Sequence, residues 1–152
     1  MIRPARIPDA RIIHQLLLTY AKEGQLLGRS LAAIYDSIRD FYVYEEDGQI
    51  LGIGALAICW EDLAEVRSLA VVPGQQGKGI GRKIVEKCLQ EARELGLQRV
   101  FALTYQPEFF QKLGFIEIDK AQLPQKVWGD CINCVKFPDC DEFALAINIL
   151  NT

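Results

Sequence analysis

The sequence predicts an α/β fold in a single domain over residues 1–152: a mixed sheet with helices on both faces. Three observations lead there. Short apolar stretches of strand length are bounded by Pro, Gly and Asp turn signals. Between them lie segments whose apolar residues recur at helical spacing, chiefly Ile12, Ile13, Leu16, Leu17 and Tyr20, then Ile80, Ile84, Val85, Cys88, Leu89 and Ala92. A chain of 152 residues that is 50% hydrophobic and 24% charged can bury one real core but not two comfortable ones.

Residues 2–7 read as a first strand, after which Pro8-Asp9 supplies a break and an N-cap for the first amphipathic helix. Gly24 weakens that helix, Gly28 ends the segment, and Ser30 can cap a second helix carrying Leu31, Ile34, Tyr35 and Ile38. Phe41–Glu46, Asp47-Gly48 and residues 50–60 read as a hairpin, because Asp-Gly accepts the positive φ angles of a tight primed turn. Glu61-Asp62 turns the chain into a strand over residues 63–72, which Pro73-Gly74 ends. The helix opening at Ile80 runs to Gly96, placed as its left-handed C-terminal residue. A strand follows at Arg99–Thr104, a short helix from Pro107 to the turn at Gly114, and two last strands at 115–118 and 143–149. Residues 120–142 show no periodicity and are long for a structureless connection, which marks them as functional or poorly ordered. The predicted order is β-α-α-β-β-β-α-β-α-β-β.

Composition excludes several function classes. No run approaches the ~20 apolar residues of a membrane span, and the N-terminus lacks the pattern of a signal peptide. A net charge of −3 gives no footprint for nucleic acid, although a local basic patch could serve a small polyanion. Five cysteines, with Cys59 and Cys88 inside apolar stretches, favour a reducing compartment and a cytoplasmic location. Cys131-x-x-Cys134 with Cys140 is an incomplete zinc set, so free thiols are expected and no metal is required.

The strongest local signal is Gln76-Gly77-Lys78-Gly79-Ile80-Gly81 between a strand and a helix that continues Arg82-Lys83. Glycines let backbone approach a ligand closely, and the unpaired amides of a first helical turn attract phosphate oxygens. Lys78, Arg82 and Lys83 add positive charge. Such a loop also occurs as a plain strand-to-helix connection. It satisfies neither the Walker pattern nor the nicotinamide fingerprint.

Leu69-Ala70-Val71-Val72-Pro73 followed by Gln76-x-x-Gly79-x-Gly81 resembles the acetyl-CoA motif of the GNAT acetyltransferases, and Phe109-Phe110-Gln111-Lys112-Leu113-Gly114-Phe115 resembles their second signature. More narrowly, Gly28-Arg29-Ser30, Glu65-Val66-Arg67-Ser68, Leu103-Thr104 and Leu123-Pro124-Gln125-Lys126-Val127-Trp128 are similar to the acetyltransferase domain of N-acetylglutamate synthases, particularly short stand-alone forms. The resemblance implies a mostly antiparallel sheet and acetyl-CoA as co-substrate. The pantetheine arm would pair with the backbone of Leu69, Ala70 and Val71, and the amides of Gln76, Gly77, Lys78, Gly79, Ile80 and Gly81, with Arg82 nearby, would hold the pyrophosphate. Phe110 would also lie at the coenzyme. A backbone N–H near Leu69 or Ala70 would polarise the thioester carbonyl. Glu65 is the candidate base for the acceptor amine. Arg67 and Arg29, with Ser68 and Lys126, would receive the acceptor, since an arginine fork binds carboxylate bidentately.

Where many GNAT enzymes carry a tyrosine as proton donor to the leaving thiolate, this chain has Phe110, and Tyr105 is the substitute considered. These residues also have plainer readings: Arg67 as the ion-pair partner of Glu65 or Glu61, Arg29 as a solvated side chain, and Tyr105 as a packed aromatic with a wet hydroxyl. The leading expectation is acetyl transfer to the α-amino group of an amino acid, glutamate first, as in arginine biosynthesis. Partners are then a small-molecule acceptor and a second copy of the chain, with neither nucleic acid nor membrane. Acetylation of another small amine or a protein N-terminus, and a non-catalytic acetyl-CoA sensor, stay open from sequence alone.

Overall fold

The computed structural model describes residues 1–24, 28–123 and 142–149; Lys126, Cys131, Cys134 and Cys140 lie outside them. In chain order the elements are β1 (Ile2–Pro4), α1 (Ala10–Lys22), α2 (Leu31–Asp36), β2 (Phe41–Glu46), β3 (Gln49–Trp60) and β4 (Leu63–Val71). Then come α3 (Ile80–Glu94), β5 (Arg99–Thr104), α4 (Pro107–Lys112), β6 (Ile116–Ile118) and β7 (Phe143–Asn148). This is the predicted order. The strands hydrogen-bond in the sequence β1-β2-β3-β4-β5-β7-β6. β4 pairs parallel with β5, while β1 with β2, β2 with β3, β5 with β7 and β6 with β7 are antiparallel, which makes the sheet mixed and mostly antiparallel.

The chain divides into two compact units: Met1–Ala57 with Val66–Glu91, and Ile58–Glu65 with Ala92–Thr152. In the first unit, Ile13 and Leu17 of α1 and Ile34 of α2 pack with Phe41, Val43, Ile53 and Ala55 of β2 and β3. Strand side chains alternate between faces, so Gly52 and Gly54 point the other way, toward α3. A Cβ on Gly52 would meet Ile80 Cγ2 at 2.6 Å, and one on Gly54 would meet Ile84 Cγ2 at 2.6 Å. Helices therefore cover both faces of β3. The bare backbone is what lets α3 lie so close to the strand.

Local signals hold at most element ends. Asp47 and Gly48 both take positive φ (52° and 76°), as a two-residue primed turn demands. Ser30 Oγ accepts the Ala33 N–H at 3.1 Å and caps α2. Gly96 closes α3 at φ 82° while the Leu97 N–H reaches back to Ala92 O.

The N-terminus departs from expectation. β1 ends at Pro4, a 3-10 turn occupies Ile7–Asp9, and Asp9 makes no capping bond to α1. Its carboxylate instead accepts both guanidinium N–H groups of Arg3 (2.8 and 3.1 Å) and the Arg6 amide (2.7 Å). A bidentate charged partner outcompetes a neutral helix amide. Arg3 holds Asp9 well below the usual carboxylate range, and also bonds Glu45 of β2 at 3.1 Å.

In the second unit, β5 and β7 pair from Arg99↔Asn148 to Thr104↔Phe143. Phe101 packs with Cys59, Leu63, Leu123 and Ala146. Cys59 and Cys88 are buried, as their apolar settings predicted, and burial pushes the Cys88 thiol up to about 12. It is accordingly inert as a nucleophile.

Gly54→Ala should destabilise the protein by about 1–3 kcal/mol, because Ile84 is β-branched and its Cγ2 cannot swing clear of a new methyl group. A lowered urea midpoint at unchanged m-value is the expected result; an unchanged midpoint would show that α3 can yield.

Candidate active site

The chain leaves β4 through a turn in which the Gln75 N–H bonds Val72 O at 2.9 Å, and Gly74, Gly77 and Gly79 all take φ between 80° and 90°. An L side chain is strained at such angles. A Cβ at Gly77 or Gly79 would meet nothing within 4 Å, so these glycines serve the backbone path and leave open space beside it. The first helical hydrogen bond of α3 runs from Lys83 N to Gly79 O at 3.0 Å. The amides of Ile80, Gly81 and Arg82 thus precede the helical ladder, at the positive end of the helix dipole. Ile80 and Ile84, 4% and 0% exposed, anchor this turn on Gly52 and Gly54. This is a cradle suited to a phosphate anion.

The cations around the loop are arranged unequally. Lys78 Nζ donates to Gln75 Oε1 within the loop, Arg82 faces Glu86 one turn on at 3.7 Å, and Lys83 lies over the Tyr44 ring at 5.5 Å. Lys78 and Arg82 are exposed at the loop. Lys83 is partly turned onto β2.

β4 carries a feature that no sequence signal announced. Ser68 takes φ 56° inside the strand. A left-handed non-glycine residue costs of order 1–3 kcal/mol and interrupts the regular ladder. Its hydroxyl receives the Arg29 Nε–H at 3.2 Å across 39 residues of sequence. Arg29, which the sequence allowed as a solvated side chain, is therefore turned onto β4 beside half-buried Arg67.

Asp40, at the end of the 3-10 turn before β2, joins them. Burial raises its carboxyl above the usual range, while the positive fields of Arg67 and Arg29 pull it down. Sequence reading passed over Asp40 because an acidic residue before a strand is ordinarily a solvated turn residue. Tyr20 was read only as the last apolar position of α1, yet its hydroxyl donates to Val71 O and accepts from Gln76 Nε2. Its polar tip was the available signal, since a buried tyrosine hydroxyl finds a partner.

In the second unit, Glu65 of β4 is half-buried and registers opposite Phe101 of β5. Tyr105 follows β5, also half-buried. Phe110 is 5% exposed on α4, edge-on to Phe109 and Phe115 with ring centroids 5.0 and 5.1 Å away. It is a core residue of that unit. Among the described residues no group of three His, Cys, Asp or Glu side chains is placed to hold a metal ion.

Comparison with known proteins gives the family. Residues 11–115 match the acetyltransferase (GNAT) family. An uncharacterised N-acetyltransferase of Chlorobaculum tepidum is 45% identical over 144 residues, covering 95% of this chain and 93% of its own. An amino-acid acetyltransferase of Mycobacterium tuberculosis is 42% identical over 133 residues, 86% of this chain and 76% of its own. The solved structure of N-acetylglutamate synthase from Neisseria gonorrhoeae, complexed with coenzyme A and N-acetyl-glutamate, superposes with a TM-score of 0.90 at 28% identity. That match covers 98% of this chain and 35% of the synthase, so the chain corresponds to about a third of that protein. With a glycine cradle at a helix N-terminus on the matching fold, the chain belongs to the acetyltransferase (GNAT) family and is an acetyl-CoA-dependent N-acetyltransferase.

Proposed function

We propose that the acceptor is the α-amino group of an amino acid, L-glutamate first, acetylated by direct attack in a ternary complex. The observation that carries this reading is the Arg29–Ser68 hydrogen bond, which brings a distant arginine to β4 beside Arg67. Two guanidinium groups with one half-buried carboxyl match the charges of a dicarboxylic amino acid, two negative and one positive. The similarity to an amino-acid acetyltransferase and to a synthase solved with N-acetyl-glutamate supports the same acceptor. Lys126, a further candidate for the acceptor, lies outside the described residues.

The amides from Gln76 to Gly81 hold the coenzyme pyrophosphate, and the pantetheine arm follows the backbone of Leu69, Ala70 and Val71. An amide at Leu69 or Ala70, next to the left-handed Ser68, stabilises the oxyanion as the amine adds to the thioester carbonyl. Glu65 takes the proton from the attacking nitrogen, directly or through water. The C–S bond then breaks and CoA leaves as thiolate. In a cytoplasmic setting the product would enter arginine biosynthesis.

Gly79→Glu places a carboxylate at the helix N-terminus where the pyrophosphate is to sit. Calorimetry should show CoA affinity falling at least about 100-fold, or about 2.7 kcal/mol, with the fold intact. Gly79→Ala controls for backbone strain and should lose far less; equal losses would assign the effect to strain and not to charge.

Glu65→Gln should lower kcat with little change in CoA affinity, and the deficit should shrink as pH rises and more amine is already deprotonated. A wild-type rate across the whole pH profile would assign proton removal elsewhere.

Arg67→Lys replaces a planar fork by a point charge and should reduce kcat/KM for glutamate by about 2–5 kcal/mol while CoA binding stays near normal. Glutamate amidated at its α-carboxyl should be a poor acceptor for the wild type and lose little more with the variant. An equal response of the free and amidated acceptors would make Arg67 structural and remove the dicarboxylate reading.

A further inference from the structure

We propose that Tyr20 is a positioning residue that preorganises the coenzyme loop, an inference that rests on assigning that loop to the coenzyme. Tyr20 closes the apolar stripe of α1 and is 7% exposed in the core that holds Ile13, Leu16, Leu17 and Ala70. Its hydroxyl has two hydrogen-bond partners. It donates its one proton to the carbonyl of Val71, the last residue of β4, and accepts from the side-chain amide of Gln76, the first residue of the cradle. With the donor spent on a carbonyl, the second partner has to be a donor itself, which fixes Gln76 with its NH₂ toward Tyr20. Burial raises the phenol's pKa above its usual value, so the proton stays in place through the neutral range.

The tether matters because of what surrounds it. The loop enters from a fixed strand, since the Val72 N–H bonds Leu51 O at 2.8 Å, and leaves into a fixed helix through Lys83 N to Gly79 O at 3.0 Å. Between these ends lie Gly74, Gly77 and Gly79, the residues with most backbone freedom to lose. Gln76 is itself exposed, and its bond to Tyr20 is the side-chain tie from this stretch to a buried element. Ordering a glycine loop before the ligand arrives removes a cost that binding otherwise bears. Tyr20 thus acts on the coenzyme through Gln76 without needing to touch it.

The test is a double-mutant cycle read by calorimetry with CoA as the probe. Tyr20→Phe keeps the ring and removes both hydrogen bonds, and should raise the CoA Kd roughly 5–20-fold. The same change should appear in KM for acetyl-CoA and not in kcat. Gln76→Ala should give a similar loss, and the double variant should be little worse than the poorer single one, because both break one tether. A merely structural Tyr20 would lower Tm and leave the CoA Kd within threefold; that result, or losses that multiply in the double variant, overturns the proposal. Should Tyr20→Phe fail to fold, Gln76→Ala on its exposed residue decides by the same threefold limit. Collapse of binding in Gly79→Glu with normal binding in Tyr20→Phe refutes the tether alone, whereas normal binding in Gly79→Glu refutes the loop assignment beneath it.

Discussion

The close approach of α3 to β3 is the constraint on which the proposed coenzyme site depends. Two glycines on one face of the strand, Gly52 and Gly54, leave room for Ile80 and Ile84, and those isoleucines stand at the first turn and a half of the helix. The position of a helix N-terminus is then set by packing to within a methyl group's width. Lys83 and Lys87 add a second line of contact, over the rings of Tyr44 and Tyr42 on β2 at 5.5 and 5.9 Å. A smooth apolar contact would leave the helix free to slide along its axis. The interlocked isoleucines oppose such a slide, and so the amides of Ile80, Gly81 and Arg82 present a fixed array. A preorganised array of donors is what makes a helix terminus useful to a phosphate ligand.

A second constraint lies in β4. A strand that alternates regularly offers equivalent amides along its length, and nothing in it singles out one position for a developing negative charge. The left-handed Ser68 breaks that equivalence. Strain of this kind persists only when the surroundings over-determine it. The Arg29 guanidinium bonded to the Ser68 hydroxyl is one such determinant. The charge there is local: the chain as a whole carries −3, yet Arg29 and Arg67 both act on Asp40. On the proposed reading, the half-buried carboxyl keeps two like-charged guanidinium groups from repelling each other before the acceptor's carboxylates arrive.

The sequence revealed the parts of the fold that local chemistry decides. Asp47-Gly48, Ser30 and Gly96 each have one conformational or capping role that their side chains alone explain, and β5 falls on Arg99–Thr104 as predicted. The glycine loop was legible for the same reason, since positive φ is a local demand. Asp9 was misread because its real partner, Arg3, is an arginine six residues away that competes with the helix amide. Arg29 and Tyr20 owe their roles to hydrogen bonds across 39 and 51 residues, to Ser68 and Val71, and Asp40 to the positive field of Arg67, 27 residues away. No periodicity encodes such meetings. Ser68 was named in the sequence only as an acceptor-binding residue, and its left-handed backbone was invisible because serine has no preference for that conformation.

At Phe110 the proposed chemistry can dispense with the proton donor that the GNAT resemblance led one to look for. Its ring is buried among Phe109 and Phe115, so the position is committed to packing and offers no proton. In the tetrahedral adduct formed by amine and thioester, two groups compete to leave. A thiol ionises near pH 8.5, so its thiolate departs readily without prior protonation. The nitrogen arrives as an ammonium-like centre and is the better leaving group until it loses a proton. Removing that proton therefore decides whether the adduct goes forward or returns to reactants, while a proton given to sulfur changes little. On this reasoning the demand on the protein falls on a base beside the acceptor, the role proposed for Glu65, and a phenylalanine at position 110 is chemically tolerable.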